Sequence, residues 1–73
     1  MRDIPKPGQP LQHYRGGIYQ FIDTARHTEN RELLAIYCDS NRRMYARPLD
    51  MFLSEVPAGK ENPTGQKWRF EDI

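Results

Sequence analysis

The sequence has little cysteine, no long apolar run and almost no net charge, and each shortage narrows what the protein can be. Cys38 is the single cysteine, so no disulfide can form within the chain. It lies in the apolar run Leu33–Cys38, where a buried, reduced thiol is the ordinary outcome, and this favours a reducing, cytoplasmic setting. That run, the longest in the chain, is too short to span a membrane, and the N-terminus MRDIPKPGQP lacks the apolar segment of a signal peptide. We therefore expect no membrane partner.

The net charge of +1 excludes a strong overall field that would recruit nucleic acid. The charge is unevenly distributed, because residues 1–47 carry a net +3 and residues 48–73 a net −2. Eight of the eleven basic residues are arginines, whose planar guanidinium suits carboxylate and phosphate recognition. Two histidines and one cysteine are too scattered to predict a metal site, and no catalytic or cofactor motif is present.

With 73 residues the chain predicts one small domain, which buries a limited share of its surface. Homodimerisation would enlarge its core, and the sequence leaves monomer and homodimer equally open. Residues 1–10 hold three prolines and a glycine, which predicts an extended leader before a single β domain over residues 11–73.

Stretches rich in β-branched and aromatic residues predict strands at Leu11–Arg15, Ile18–His27, Glu32–Asp39, Arg43–Arg47 and Lys67–Ile73. Gly16 and Gly17 suit a tight hairpin between the first two strands. Within the second strand, Phe21 and Ile22 are adjacent and apolar, which predicts a bulge or a sharp bend.

A helical turn is predicted directly after the fourth strand. Pro48 suits a first helical position, and the apolar residues that follow it have the spacing of one helical face. Met51 and Phe52 are both predicted to lie in the core. Residues 57–66 hold two prolines and two glycines and predict an irregular loop. Together these elements predict an all-β fold, a small five-stranded SH3-like barrel or a rolled antiparallel sheet with one short helical turn.

Three segments carry a resemblance: HYRGGIY from His13, ARHTE from Ala25 and ARPLDMF from Ala46, followed by Arg69-Phe70. In this order they resemble a family of short bacterial and phage proteins known as domain of unknown function sixteen-fifty-three. The resemblance implies a fold and a set of candidate residues, and it leaves the activity open. The chain departs from the family pattern in a shorter hairpin around residues 38–45 and in the long loop 57–66.

The polar residues of these segments are the candidates for a ligand-binding site: His13, Tyr14, Arg15, Arg26, His27 and Arg47. Guanidinium groups beside an imidazole suit a phosphate or carboxylate, and the tyrosines add a surface on which a base can stack. The sequence therefore predicts a non-enzymatic binding module for an anionic ligand, either a phosphate-bearing small molecule of nucleotide type or nucleic acid.

Other interpretations stay open. Arg47 would instead cap carbonyl groups or pair with Asp50 or Glu29, and His27 would satisfy the backbone of a turn. The domain would then be a protein-interaction module, whose barrel edge or helical turn meets a partner chain or a second copy. Small size and the family's occurrence in phages also suggest an interference protein that sequesters a nucleotide. Catalysis with His27 as general base and Glu29 as its orienting partner is the least supported interpretation.

Overall fold

The computed structural model describes residues 3–73 and confirms the all-β fold. Five antiparallel strands form one sheet in the order β4-β3-β2-β1-β5, and one helical turn follows the fourth strand. The elements are β1 Pro10–His13, β2 Ile18–Arg26, β3 Leu33–Asp39, β4 Met44–Pro48, α1 Leu49–Phe52 and β5 Phe70–Asp72. The first two residues of the predicted leader lie outside the described residues.

The last part of the leader is hydrogen-bonded to β2. The Gly8 N–H donates to the Phe21 carbonyl over 2.7 Å, and the Phe21 N–H donates to the Gln9 carbonyl over 2.9 Å. Pro10 already belongs to β1, which ends at His13 and not at Arg15 as predicted. The strand ends there because the chain turns at Gly16, where the Gly16 N–H donates back to the His13 carbonyl over 2.8 Å.

The predicted irregularity in the second strand is confirmed as a bulge. The pairing of β2 with β3 shifts register between Phe21 and Asp23. Phe21 pairs with Tyr37 before the bulge, and Thr24 pairs with Ala35 after it. A bulge of this kind bends and twists the strand, which contributes to the curl of the sheet.

The sheet is strongly rolled. The rings of Tyr37 on β3 and Phe70 on β5 have centroids 5.2 Å apart, although β2 and β1 lie between these strands. Three strand spacings in a flat sheet would separate them by about 14 Å. The chain after α1 then bridges to the segment before β5, because the Arg69 N–H donates to the Ser54 carbonyl over 2.9 Å.

The fifth strand is shorter than predicted and starts at Phe70, not at Lys67. The backbone N–H groups of Lys67 and Trp68 donate to one carboxylate oxygen of Glu71, over 3.0 and 2.9 Å. Trp68 instead forms an isolated bridge with Glu55. This stretch therefore helps to close the rolled sheet and does not extend β5.

Side chains from β1, β2, β3 and β5 and from the helical turn with the residue after it form one core: Leu11, Phe21, Ala35, Tyr37, Phe52, Leu53 and Phe70. Phe52 and Phe70 stack with ring centroids 4.2 Å apart. The prediction that Met51 belongs to this core is wrong, because its side chain is 46% exposed whereas Phe52 is 1% exposed. Successive helical residues point about 100° apart, so a single turn that buries Phe52 and Leu53 directs Met51 to solvent.

The predicted buried thiol is confirmed, since Cys38 is free and buried. Residues 57–66 contain no helix or strand. This loop is tied to the hairpin of β1 and β2, because the Thr64 hydroxyl donates to the Tyr14 carbonyl over 3.0 Å. Within residues 3–73, no helix is long and apolar enough to cross a membrane.

Candidate functional site

The inner face of the rolled sheet carries four neighbouring rings, one from each of the first four strands. These are His13 on β1, Tyr19 on β2, Tyr37 on β3 and Tyr45 on β4, and we call them the aromatic row. Tyr19 lies 5.5 Å from Tyr37 and 6.2 Å from both His13 and Tyr45, between ring centroids. Tyr37 is buried, whereas Tyr45 is 38% exposed. The row therefore runs from the core to an accessible rim.

The two glycines of the first hairpin, Gly16 and Gly17, are needed for different structural reasons. Gly16 has a φ of 107°, a conformation that side chains rarely adopt and that the turn requires. Gly17 lies beside the Tyr19 ring, and a Cβ there would be 3.0 Å from a ring carbon. Gly17 thus leaves the space that Tyr19 occupies in the aromatic row.

Three arginines, Arg15, Arg47 and Arg69, lie close enough to His13 for their charges to act on its imidazole, and we call them the arginine cluster. Burial lowers the pKa of His13 below its usual 6.5, and the positive charges of Arg47, Arg69 and Arg15 lower it further. The Arg47 Nε donates to the Tyr37 hydroxyl over 3.4 Å. The Arg69 guanidinium lies 5.9 Å from the centroid of the Tyr14 ring.

The arginine cluster is not neutralised from within the described chain. The interactions of Arg15, Arg47 and Arg69 include hydrogen bonds and a ring contact, and no carboxylate of residues 3–73 forms an ion pair with them. This leaves positive charge beside an imidazole and an aromatic surface. Such a surface suits an anion that also carries a ring.

A carboxylate holds the rim of the aromatic row in place. The Tyr45 hydroxyl donates to Asp39 Oδ2 over 2.9 Å, and Oδ1 of the same side chain accepts the Arg43 and Asn41 N–H groups, each over 2.9 Å. The N–H of Arg43 is the main reason that the pKa of Asp39 is lowered, and the hydrogen bond to Asp39 raises the pKa of Tyr45. Near neutral pH Asp39 is therefore ionised and Tyr45 stays a neutral donor.

The profile of the family described as "Protein of unknown function (DUF1653)" matches residues 9–72. The chain belongs to this family. The match confirms the resemblance seen in the sequence, and it spans the whole aromatic row and arginine cluster. No curated protein and no solved structure matches the chain.

The structure brings four of the predicted residues of this DUF1653 protein together: His13, Tyr14, Arg15 and Arg47. Tyr14 is 5% exposed and its ring lies 4.3 Å from that of His13, so it packs under the site. Arg47 contacts Tyr37 and not Asp50 or Glu29, the partners that the alternative interpretation named.

Arg26 and His27 contact the turn between β2 and β3 instead. The Arg26 guanidinium donates to the Arg31 carbonyl over 2.8 Å, and His27 Nδ1 accepts the Glu29 N–H over 3.1 Å. The backbones of Arg26 and Arg47 do lie towards the same end of the sheet, opposite Leu33 and Ala35 of β3. The side chain of Arg47, however, extends to the Tyr37 hydroxyl.

Sequence reasoning did not name Arg69 or Asp39 as site residues. Arg69 reaches the site because the chain before β5 runs beside the first hairpin, where the Tyr14 N–H donates to the Arg69 carbonyl over 3.0 Å. The Arg69-Phe70 pair in the family pattern was the one available signal. For a metal, the part of the chain that the structure describes brings together no group of three or more histidine, cysteine or acidic side chains.

Proposed function

We propose that this DUF1653 protein is a non-enzymatic module that binds a phosphate-bearing ligand, a nucleotide or a short nucleic-acid element, on the inner face of its sheet. One observation carries the proposal. The charges of the arginine cluster act on His13 without a carboxylate partner among residues 3–73, and Arg47 donates to Tyr37 of an aromatic row that has an accessible rim. Guanidinium groups bind phosphate through charged, often paired hydrogen bonds, and tyrosine rings stack on bases.

Different residues would bind the phosphate and the base of the ligand. Arg15, which is exposed on the hairpin turn, and Arg47 would bind the phosphate. Tyr19 and Tyr45 would contact the base. His13 Nδ1 accepts the Arg15 N–H over 3.1 Å, so a neutral imidazole carries its proton on Nε2 and can donate there.

The lowered pKa of His13 supplies a direct readout. Bound phosphate would offset the positive charges of the arginine cluster that now disfavour the imidazolium, so it would raise the pKa of His13. We would titrate the protein with inorganic phosphate and then with adenosine and guanosine monophosphates, and follow the His13 ring by NMR. Affinity should fall steeply as salt is added, as for other phosphate contacts.

Arg15→Ala and Arg47→Ala should each weaken nucleotide binding by about tenfold or more, the scale of one lost charged hydrogen bond. Lys60→Ala removes the same charge from the remote loop 57–66 and is the matched control. Unchanged affinity in both arginine variants, with folded protein, would refute the proposal.

The setting of this binding is part of the proposal. The closure of the rolled sheet through Ser54 and Arg69 supports an SH3-like barrel, and the buried free thiol of Cys38 supports a reducing, cytoplasmic compartment. A nucleotide-sequestering protein of phage type would use the same site.

The second candidate function, a protein-interaction module, is supported by a different surface, the free edge of β4.

A further inference from the structure

Strand β4 is an end strand of the sheet and pairs on one side only, with β3. The Asp39 N–H donates to the Arg43 carbonyl over 3.1 Å at the start of this pairing. Hydrogen-bonded and non-hydrogen-bonded pairs alternate along an antiparallel ladder. Because Arg43 is in a hydrogen-bonded pair, the backbone N–H and C=O groups of Tyr45 and Arg47 also bond to β3. Met44 and Ala46 then direct their N–H and C=O groups away from the sheet.

These outward backbone groups are open to a partner. No backbone hydrogen bond from elsewhere in residues 3–73 reaches Met44 or Ala46. The side chains around them are also accessible, since residues 43–46 are all exposed and Met44 is 58% exposed. Pro48 has no N–H and ends the free edge. An unpaired edge of this kind is a template for strand addition.

The side chains of β4 and of Arg43, the residue directly before it, set the chemistry of a strand that would pair there. Arg43, Tyr45 and Arg47 alternate along the chain and therefore share one side of the sheet. A strand added antiparallel to β4 would place a residue opposite each of them. Carboxylates opposite the arginines and an apolar or aromatic residue opposite Tyr45 would be the complementary set.

We propose that the free edge of β4 binds an extended, acidic peptide segment of a partner protein by β-strand addition. The segment has the pattern acidic, any residue, aromatic or apolar, any residue, acidic. Its main-chain groups exchange hydrogen bonds with Met44 and Ala46, which supplies affinity, and the alternate side chains supply specificity.

A second copy of this chain fits the edge less well. Two identical edge strands related by a two-fold axis pair antiparallel. In the register centred on Tyr45, Arg43 of one copy lies opposite Arg47 of the other, and like charges directly opposite each other are destabilising. In the register centred on Ala46, Pro48 lies opposite Met44 and has no N–H to donate to it. Charge complementarity therefore favours an acidic partner.

The peptide-binding edge shares Tyr45 and Arg47 with the proposed phosphate site, but each proposal also has a residue of its own. Arg43 belongs to the edge and not to the arginine cluster, whereas Arg15 belongs to the cluster and lies outside β4. Arg43→Ala should weaken peptide binding alone, and Arg15→Ala should weaken nucleotide binding alone. Failure of one proposal is thus distinguishable from failure of the other.

The test uses the unaltered protein and a fluorescent peptide of sequence TEVFVET. In the complementary antiparallel register, its two valines lie opposite Met44 and Ala46, and their N–H groups point at β4. N-methylation of both valines should weaken binding by about tenfold or more, because each methyl removes a donor. N-methylation of the phenylalanine, whose N–H points to solvent, is the matched control and should leave binding unchanged.

Amide hydrogen exchange checks the same geometry residue by residue. The Met44 and Ala46 amides should exchange fast in the free protein and become protected on peptide binding, while Tyr45 is protected in both states. A peptide with lysine for both glutamates should bind at least about tenfold more weakly. Three results would overturn the proposal: no binding of TEVFVET, binding that is indifferent to valine methylation, or concentration-dependent dimerisation that protects Met44 and Ala46 without peptide.

Discussion

Met51 and Phe52 are neighbours on the one-turn helix α1, and the structure assigns them opposite roles. Phe52 is 1% exposed and stacks on Phe70 at 4.2 Å, with the Tyr37 ring at 5.2 Å and the Phe21 ring at 5.9 Å. Met51 is 46% exposed. Truncating each side chain to alanine should therefore have very different effects on stability.

The magnitudes follow from burial. Replacing a buried phenylalanine by alanine costs about 3 to 5 kcal/mol, through lost burial and the cavity left behind. A domain of this length has a free energy of unfolding of roughly 4 to 11 kcal/mol, so Phe52→Ala should leave it marginally folded or unfolded. Met51→Ala should change the free energy of unfolding by about 1 kcal/mol or less, because half of the side chain is in water and alanine favours helix.

Urea denaturation followed by the fluorescence of the single tryptophan, Trp68, measures both variants. If Phe52→Ala does not fold, Phe52→Leu replaces it in the comparison. Phe52→Leu keeps an apolar side chain and should lower the free energy of unfolding by about 1 to 2 kcal/mol. A loss for Met51→Ala that equals or exceeds the loss for Phe52→Leu would refute the assignment of α1.

Three further predictions concern individual positions. The pKa of His13 is lowered in the folded state, so the unfolded chain binds more protons as the pH is lowered through about 6.5. The free energy of unfolding should therefore decrease as the pH is lowered through this range. His13→Gln should make this decrease smaller in denaturation series from about pH 8 to about pH 5. Arg42 has a φ of 63°, so Arg42→Gly should relieve strain and raise the free energy of unfolding by about 0.5 to 1 kcal/mol, and a lower melting temperature would contradict this. Gly17→Ala should displace the Tyr19 ring and weaken nucleotide binding while the protein stays folded, which NMR shifts of the ring and a binding titration would show.

The positions of the strands could be predicted from the sequence because their signals are local. Alternation of apolar and polar residues, turn-forming glycines and Pro48 act over a few neighbouring residues, although Pro48 lies directly before α1 and not at its first position as predicted. The adjacent apolar residues Phe21 and Ile22 likewise predicted the bulge in β2. The three family segments also placed His13, Arg15 and Arg47 among the candidates, and the structure brings these residues together.

What only the tertiary structure decided depends on residues far apart in the chain. The roll of the sheet brings Arg69 beside the first hairpin, buries Phe52 and not Met51, and starts β5 at Phe70 and not at Lys67. It also directs the Arg47 side chain to Tyr37, whereas Arg26 stays with its own turn. The sequence by itself determined the elements and most of the charged and aromatic residues that line the inner face. Their grouping followed from strand register and curvature, because an arginine side chain is long enough to reach several partners and the fold selects which of them lies within reach.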